Sequence, residues 1–246
     1  MKILVCVSKT IETTERIRFT ADATAFDSDG VQFIMNPYDE WYSLVRALEL
    51  KEANGGTVTI LNVGPSVNDT IIRKGLAIGA DDAVRIDSEA HDARYVADQI
   101  AAYAADKAYD IIFVGKETID YNGSEVGSML AELLDIPFVS YGNHMEFADG
   151  KAQVSRDIEG GEEVVEVSVP FVISAAKGLA EQRIPNMRGI MMAKRKPLQV
   201  IPAVEKNTLV ETKSFGLPPE KSEVKMIDPE NMDELVRLLH EESKVI

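Results

Sequence analysis

Residues 115–137, GKETIDYNGSEVGSMLAELLDIP, carry side chains suited to holding a phosphate. Gly115 and Gly123 loosen the backbone, Ser124 is a residue type that caps helices, and Glu125 puts an acid in the expected first turn. Val126, Met129, Leu130, Leu133 and Leu134 then recur at helical spacing. A glycine-bearing loop that feeds a helix N-terminus offers unpaired N–H groups and the positive end of a helix dipole to an anion. Lys116, Asn122 and Ser124 add a cation and neutral polar groups for a phosphate or a ribose. The plainer reading is an ordinary strand-to-helix turn, and the loop alone leaves both open. Neither G-x-x-x-x-G-K-[ST] nor G-x-G-x-x-G occurs in the chain, which disfavours phosphate-loop NTPases and dinucleotide-binding Rossmann domains.

A second group of residues has a different chemistry. Arg183, Arg188, Lys194, Arg195 and Lys196 fall within residues 183–196 without one acid, in a chain of 246 residues with net charge −15. Met187, Met191 and Met192, three of nine methionines, share the span. Cations around adaptable thioethers suit docking to acidic protein partners. The alternative is that Ile190 and Met191 are core residues and the charges a solvated rim. Pro185 and Gly189 favour an exposed loop over a helix. The span has no aromatic residue to stack on bases, and the overall charge argues against nucleic acid and anionic membrane.

Other chemistries find little support. Cys6 is the one cysteine, inside an apolar run, so no internal disulfide can form. His91, His144 and His240 are scattered, without metal-ligand spacing.

The elements that must position these residues alternate. Short apolar runs at 3–7, 57–63, 83–86, 111–114 and 138–139 read as strands, and 37–51, 69–78 and 92–109 as helices between them. That order implies a doubly wound α/β fold with a parallel sheet covered on both faces. Residues 143–147 and 152–158 read as a hairpin, 163–169 as a further strand, and 171–174 as a buried return to the sheet. Residues 179–220 show little beyond loops and a short run at 198–201. At 228–246, Met232, Leu235, Val236, Leu238 and Leu239 make a helical stripe, either packed on its own domain or an arm for a partner. No apolar run reaches the ~18 residues of a membrane span, and the chain enters a strand at once, so the expectation is a cytoplasmic protein without membrane insertion.

Four stretches together resemble the β subunit of electron transfer flavoprotein: residues 3–9 (ILVCVSK), 35–40 (MNPYDE), 115–127, and 183–196. The resemblance spans essentially the whole chain. It implies a heterodimer with an α subunit that holds most of the FAD. Electrons would pass from acyl-CoA dehydrogenases of fatty acid β-oxidation to a membrane-bound quinone reductase. In most members the β subunit holds a structural AMP. Carried onto this sequence, the AMP pocket would comprise Cys6, then Asn36, Pro37, Tyr38 and Asp39, then Val63. The rest would come from the loop of Gly115, Lys116, Glu117, Thr118, Ile119, Asp120, Tyr121, Asn122, Gly123, Ser124, Glu125 and Val126. Tyr38 would also lie near the FAD. Met187 falls where the family places an apolar anchor for dehydrogenases, with Arg183, Ile184, Arg188 and Met191 around it. The implied division is a nucleotide-binding domain at 1–178 with its hairpin extension at about 143–169, a docking loop at 179–200, and a C-terminal segment and arm at 201–246 that packs on α. No catalytic residue is implied, because the chemistry belongs to the flavin.

The sequence also departs from the family. AMP-binding members have acids followed by Asn-Gln-Thr where this chain has Tyr121-Asn122-Gly123-Ser124-Glu125-Val126. Val126 resembles electron-bifurcating members, whose β-side nucleotide is a second FAD reduced by NADH. A stand-alone universal-stress-type ATP-binding domain is the rival of another class, on Gly115 and the Gly123-Ser124 pair. ATP pyrophosphatases need a Ser-Gly-Gly loop where this chain has Ser8-Lys9-Thr10-Ile11.

Overall fold

The computed structural model describes residues 1–89, 92–117, 122–221 and 223–246. The chain opens with β1 (Lys2–Cys6), whose Ile3, Leu4 and Val5 are fully buried, as a strand covered on both faces requires. A small antiparallel pair follows, β2 (Lys9–Ile11) and β3 (Phe33–Met35), leading to α1 (Glu40–Asn54). Then come β4 (Thr57–Gly64), a 3₁₀ turn at Ser66–Asn68, α2 (Asp69–Ile78), β5 (Asp82–Asp87) and α3 (Ala93–Ala104). Next are β6 (Ile111–Gly115), α4 (Val126–Leu134), β7 (Phe138–Ala148), β8 (Lys151–Ile158), β9 (Gly161–Ser168) and β10 (Phe171–Ala175). The last elements are α5 (Met187–Ala193), β11 (Leu198–Pro202) and α6 (Met232–Arg237), which continues into a π-helical turn at Leu238–Glu242.

The main sheet has nine strands in the order β11-β5-β4-β1-β6-β10-β7-β8-β9. Every pairing from β11 through β7 is parallel, and β7-β8-β9 is antiparallel. This is the expected doubly wound sheet with its antiparallel extension. Alternation along β1 divides the core. Ile3 and Val5 join Leu44, Leu48, Ile72 and Leu76 under α1 and α2, whereas Leu4 and Cys6 join Ala97, Ile100 and Leu130 under α3 and α4.

Two expectations need correction, and one pair of strands had none. Residues 138–139 and 143–147 are one strand, β7, which pairs parallel with β10 at its start and antiparallel with β8 beyond. Tyr141 in the left-handed region (φ +59°) marks the bend that interrupted the alternation. Residues 187–193 form a helix instead of an exposed loop. Asn186 caps it, its side-chain oxygen accepting from the Gly189 amide at 2.8 Å. Gly189 is there for proximity: a Cβ would stand 2.4 Å from the Ala77 carbonyl of α2, so only glycine lets the two helices meet. Finally, β2 and β3 had no sequence signal, being three residues each.

Just beyond β11, residues 203–215 run over the surface of their own domain as a strap. The Gln99 amide of α3 clamps Val204 in both directions at 2.8 Å. The Asp92 carboxylate accepts from the amides of Leu209 and Val210. Phe215 then stacks on Phe19 of the β2–β3 excursion with ring centroids 5.1 Å apart. In the arm, Leu238 is buried, while Met232 and Val236 are about half exposed.

Candidate nucleotide cleft

From β1 the chain builds outward through β4 and β5, then crosses to β6 on the other side. The sheet therefore has its switch point between β1 and β6, where crossovers diverge and leave a crevice at the strands' carboxyl ends. A cleft of about 400 Å³ lies there. Residues 6–9 at the end of β1, 63–65 at the end of β4, 115–117 at the end of β6 and 123–127 at the start of α4 line it. Asp92, Val96 and Ile100 of α3 wall one side, and Val210 and Thr212 of the strap also face it.

The α4 end presents backbone amides that its own helix does not use. Its first helical bond runs from the Met129 amide to the Glu125 carbonyl at 3.1 Å, so the amides of Val126, Gly127 and Ser128 lack helical partners. Ser124 is not the cap that its type suggested. It sits at φ +57°, outside the extended region that N-caps adopt, and Glu125 holds the cap position without a side-chain bond. The Ser124 hydroxyl instead donates to the Lys116 carbonyl at 2.9 Å and meets the Tyr141 hydroxyl at 2.7 Å, stapling the loop to the end of β6. Glu125 thus precedes the first turn.

Lys116 supplies positive charge beside these amides. Its ammonium pairs with Glu117 at 2.9 Å, which holds its pKa above the usual lysine value, and lies 5.3 Å from the Tyr141 ring centroid. On the other side of β1, Glu40 in the first turn of α1 accepts from the Ser8 amide at 2.6 Å and the Ser8 hydroxyl at 2.7 Å. This fixes the turn after β1. Burial, and secondarily Glu40, push the Cys6 thiol well above the ordinary range, so it lines the cleft as a neutral group, not a nucleophile.

Among the sequence-predicted residues, Cys6, Val63, Gly115, Lys116, Glu117, Gly123, Ser124, Glu125 and Val126 come together in the cleft. Asn36, Pro37, Tyr38 and Asp39 do not line it; they form the turn behind it. The Asn36 amide donates to the Glu117 carbonyl at 3.3 Å, and the Asp39 carboxylate accepts from the Glu117 amide at 2.9 Å. Burial raises the Asp39 pKa to about 6 against the pull of these backbone donors from Glu117 and Glu40. Tyr38 is 57% exposed, on the outer surface. Asn122, at φ +49°, shapes the loop but does not line the cleft. Thr118, Ile119, Asp120 and Tyr121, like His91, lie outside the described residues.

Sequence reasoning missed Ser8, Lys9, Glu40, Asn68, Asp92, Val210 and Thr212, which also line the cleft. Glu40 and Asp92 had a usable signal, as acids at helix starts. The strap had none, because its partners are about a hundred residues away.

The methionine-rich segment is rooted in the same framework. The Trp41 indole donates to the Arg183 carbonyl at 3.3 Å, and Gln182 donates to the Pro37 carbonyl at 3.0 Å. Arg183 is not a free rim charge, since it grips Glu52 with two bonds of 2.6 and 3.1 Å. The Lys196 ammonium caps the end of α2 through the Leu76 and Ala80 carbonyls. Arg188, Lys194 and Arg195 remain exposed. Ile184, Met187 and Met191 are 84%, 74% and 68% exposed, so the core reading of Met191 fails; Ala193 is the buried residue of α5.

The fold and cleft define an α/β protein of the class that binds ligands in the crevice over a parallel sheet's switch point. Residues 23–206 match the electron transfer flavoprotein domain family. Over its full length the chain is 34% identical to the electron transfer flavoprotein subunit beta of Bacillus subtilis, covering all of that protein. It is 30% identical to that of Mus musculus, covering 100% of this chain and 99% of the mouse protein. Caffeyl-CoA reductase-Etf complex subunit CarD of Acetobacterium woodii is 33% identical over 81% of this chain and 78% of its own. The chain belongs to the electron transfer flavoprotein family, on its β-subunit branch.

Proposed function

We propose that this chain is the β half of a heterodimeric electron carrier, holding AMP in the switch-point cleft while an α subunit holds most of the FAD. The observation that supports it most directly is the cleft itself, with orphan α4 amides and Lys116 at one end and the apolar Leu61, Val63, Val96 and Ile100 toward the other. That polarity suits a mononucleotide: amides and ammonium for the phosphate, apolar walls for the base.

The flavin supplies the redox chemistry when bound. The chain's own residues hold and orient. Glu40 fixes the turn after β1, Asp39 and Asn36 fix residues 115–117, and Ser124 ties the anion loop to β6. The exposed Ile184, Met187 and Met191 beside Arg188 give acyl-CoA dehydrogenases an apolar anchor with a basic rim, a surface for fast and readily reversed association before electrons leave for a quinone reductase. The exposed stripe of α6 suits burial on the α subunit.

The test is to co-express the chain with its α-type partner, denature the purified complex and quantify the released nucleotides. One FAD and one AMP per heterodimer is the expected result. Two FAD without AMP would replace the structural nucleotide with a second, bifurcating flavin, and ATP on an isolated homodimer would overturn the carrier reading.

A further inference from the structure

Tyr141 holds the left-handed backbone conformation at φ +59°, a region that favours glycine and is otherwise least costly for asparagine and aspartate. It is the one aromatic residue there among the described residues. The Ser174 hydroxyl of β10 accepts the Tyr141 amide at 2.8 Å and fixes the bend. The Tyr141 side chain then reaches the loop before α4 twice. Its hydroxyl lies 2.7 Å from Ser124 Oγ, and its ring centroid 5.3 Å from the Lys116 ammonium. The Lys116 carbonyl can only accept, so the single Ser124 hydroxyl proton goes to it and the phenol donates to Ser124.

Lys116 and Ser124 line the cleft, and Tyr141 does not. A bulky residue kept in a costly backbone conformation, with its side chain spent on two cleft-lining neighbours, acts through them. A lysine side chain has four torsions to settle; here the Tyr141 ring on one side and Glu117, at 2.9 Å, limit where the ammonium can go. We infer that Tyr141 is a positioning residue for the nucleotide's phosphate, setting the Lys116 ammonium with its ring and the Ser124 turn with its hydroxyl. The group this favours is a phosphate monoester, because a dianion gains from a fixed ammonium and an uncharged nucleoside does not. The inference rests on the nucleotide reading of the cleft and adds to it a residue that stands outside the lining.

The test uses the full chain in complex with its α-type subunit, stripped of nucleotide with charcoal and titrated calorimetrically with AMP and with adenosine. Tyr141→Asn removes ring and hydroxyl while suiting the backbone, so it tests the side chain without straining the bend. It is expected to weaken AMP by about 3- to 10-fold and adenosine by less than about twofold. Tyr141→Phe keeps the ring over Lys116 and should fall between the intact protein and Tyr141→Asn. In a Lys116→Met background the change at residue 141 should cost AMP less than it does alone. A residue that merely supported the fold would weaken AMP and adenosine together. Equal weakening of both, unchanged AMP affinity in both variants at residue 141, or full multiplication of the effects at 116 and 141 overturns the inference while leaving the nucleotide site standing. Failure of the unmutated complex to bind either ligand overturns the nucleotide reading itself.

Discussion

Asp39 fills the space where a side chain at Gly115 would go: a Cβ at 115 would lie 2.8 Å from one carboxylate oxygen and 3.0 Å from the other. The same carboxylate accepts the amides of Glu40 at 2.7 Å and Glu117 at 2.9 Å, so it caps α1 and shapes the loop after β6 at once. Gly115→Ala is expected to destabilise the chain by about 1–3 kcal/mol, as overpacking does. Urea unfolding of the single and double variants with Asp39→Ala checks this. The effects should be non-additive, with the alanine at 115 costing less once the carboxylate is gone.

The raised Asp39 pKa, about 6 when folded, sets the sign of a pH dependence. Between the ordinary carboxylate pKa and about 6, the folded chain binds more protons than the unfolded one, so stability falls as pH rises through that window. The loss is on the order of 2–3 kcal/mol, from ~1.4 kcal/mol per pKa unit. Thermal melts from pH 4 to 7 should show this decline in the intact chain and a smaller one in Asp39→Asn. Parallel profiles would assign the decline to other groups.

Arg85 is buried at 5% exposure and braces the turn that carries Asn68. Its guanidinium bonds to Asp69 at 2.7 Å, to the Gly64 carbonyl at 2.9 Å and to Asp87. Arg85→Met keeps most of the packing but leaves that carbonyl without this donor. A loss of about 1–3 kcal/mol is expected, because both carboxylate partners stay partly solvated. Denaturant midpoints measure it, and Arg85→Lys should recover only part, lacking the fork that reaches three acceptors.

Asp92 holds the strap through the amides of Leu209 and Val210 while capping α3 through the Tyr95 amide at 2.6 Å. Asp92→Ala should cost about 1 kcal/mol in the lost cap. It should also speed hydrogen exchange at residues 209 and 210 far more than at Val204, which keeps its Gln99 clamp. Uniform acceleration along the strap would mean that it opens as one unit.

On the proposed docking role, Met187→Ala should raise the acyl-CoA dehydrogenase concentration needed for half-maximal reduction of the complex by about tenfold or more, a typical anchor loss. Thermal stability should not change, because the side chain is 74% exposed. A lowered melting temperature would make Met187 part of the fold instead.

Legibility followed periodicity. The strands around β1 and helices α1 to α4 announce themselves because each buries a continuous face, and the cleft-lining residues 115–117 and 123–126 are read from glycines and polar residue types between a strand and a helix. Ser124 misled because a good capping residue can take another backbone conformation and spend its hydroxyl elsewhere. Gly189 misled because a glycine that permits close helix packing looks the same in sequence as one that ends a helix. Asn68, Val210 and Thr212 had no local pattern at all, since their place in the cleft comes from crossovers and a strap that only the folded chain brings together.

Trp41 is the chain's one tryptophan, with its indole bonded to the Arg183 carbonyl and the Lys74 ammonium 4.6 Å from its ring centroid. Indole emission responds to hydrogen bonding and nearby charge, and this fluorophore sits at the root of the segment that bears Met187. The protein thus has an intrinsic optical probe where α1 meets the segment that leads into α5, so stopped-flow mixing could follow events at that contact without a dye or an added label.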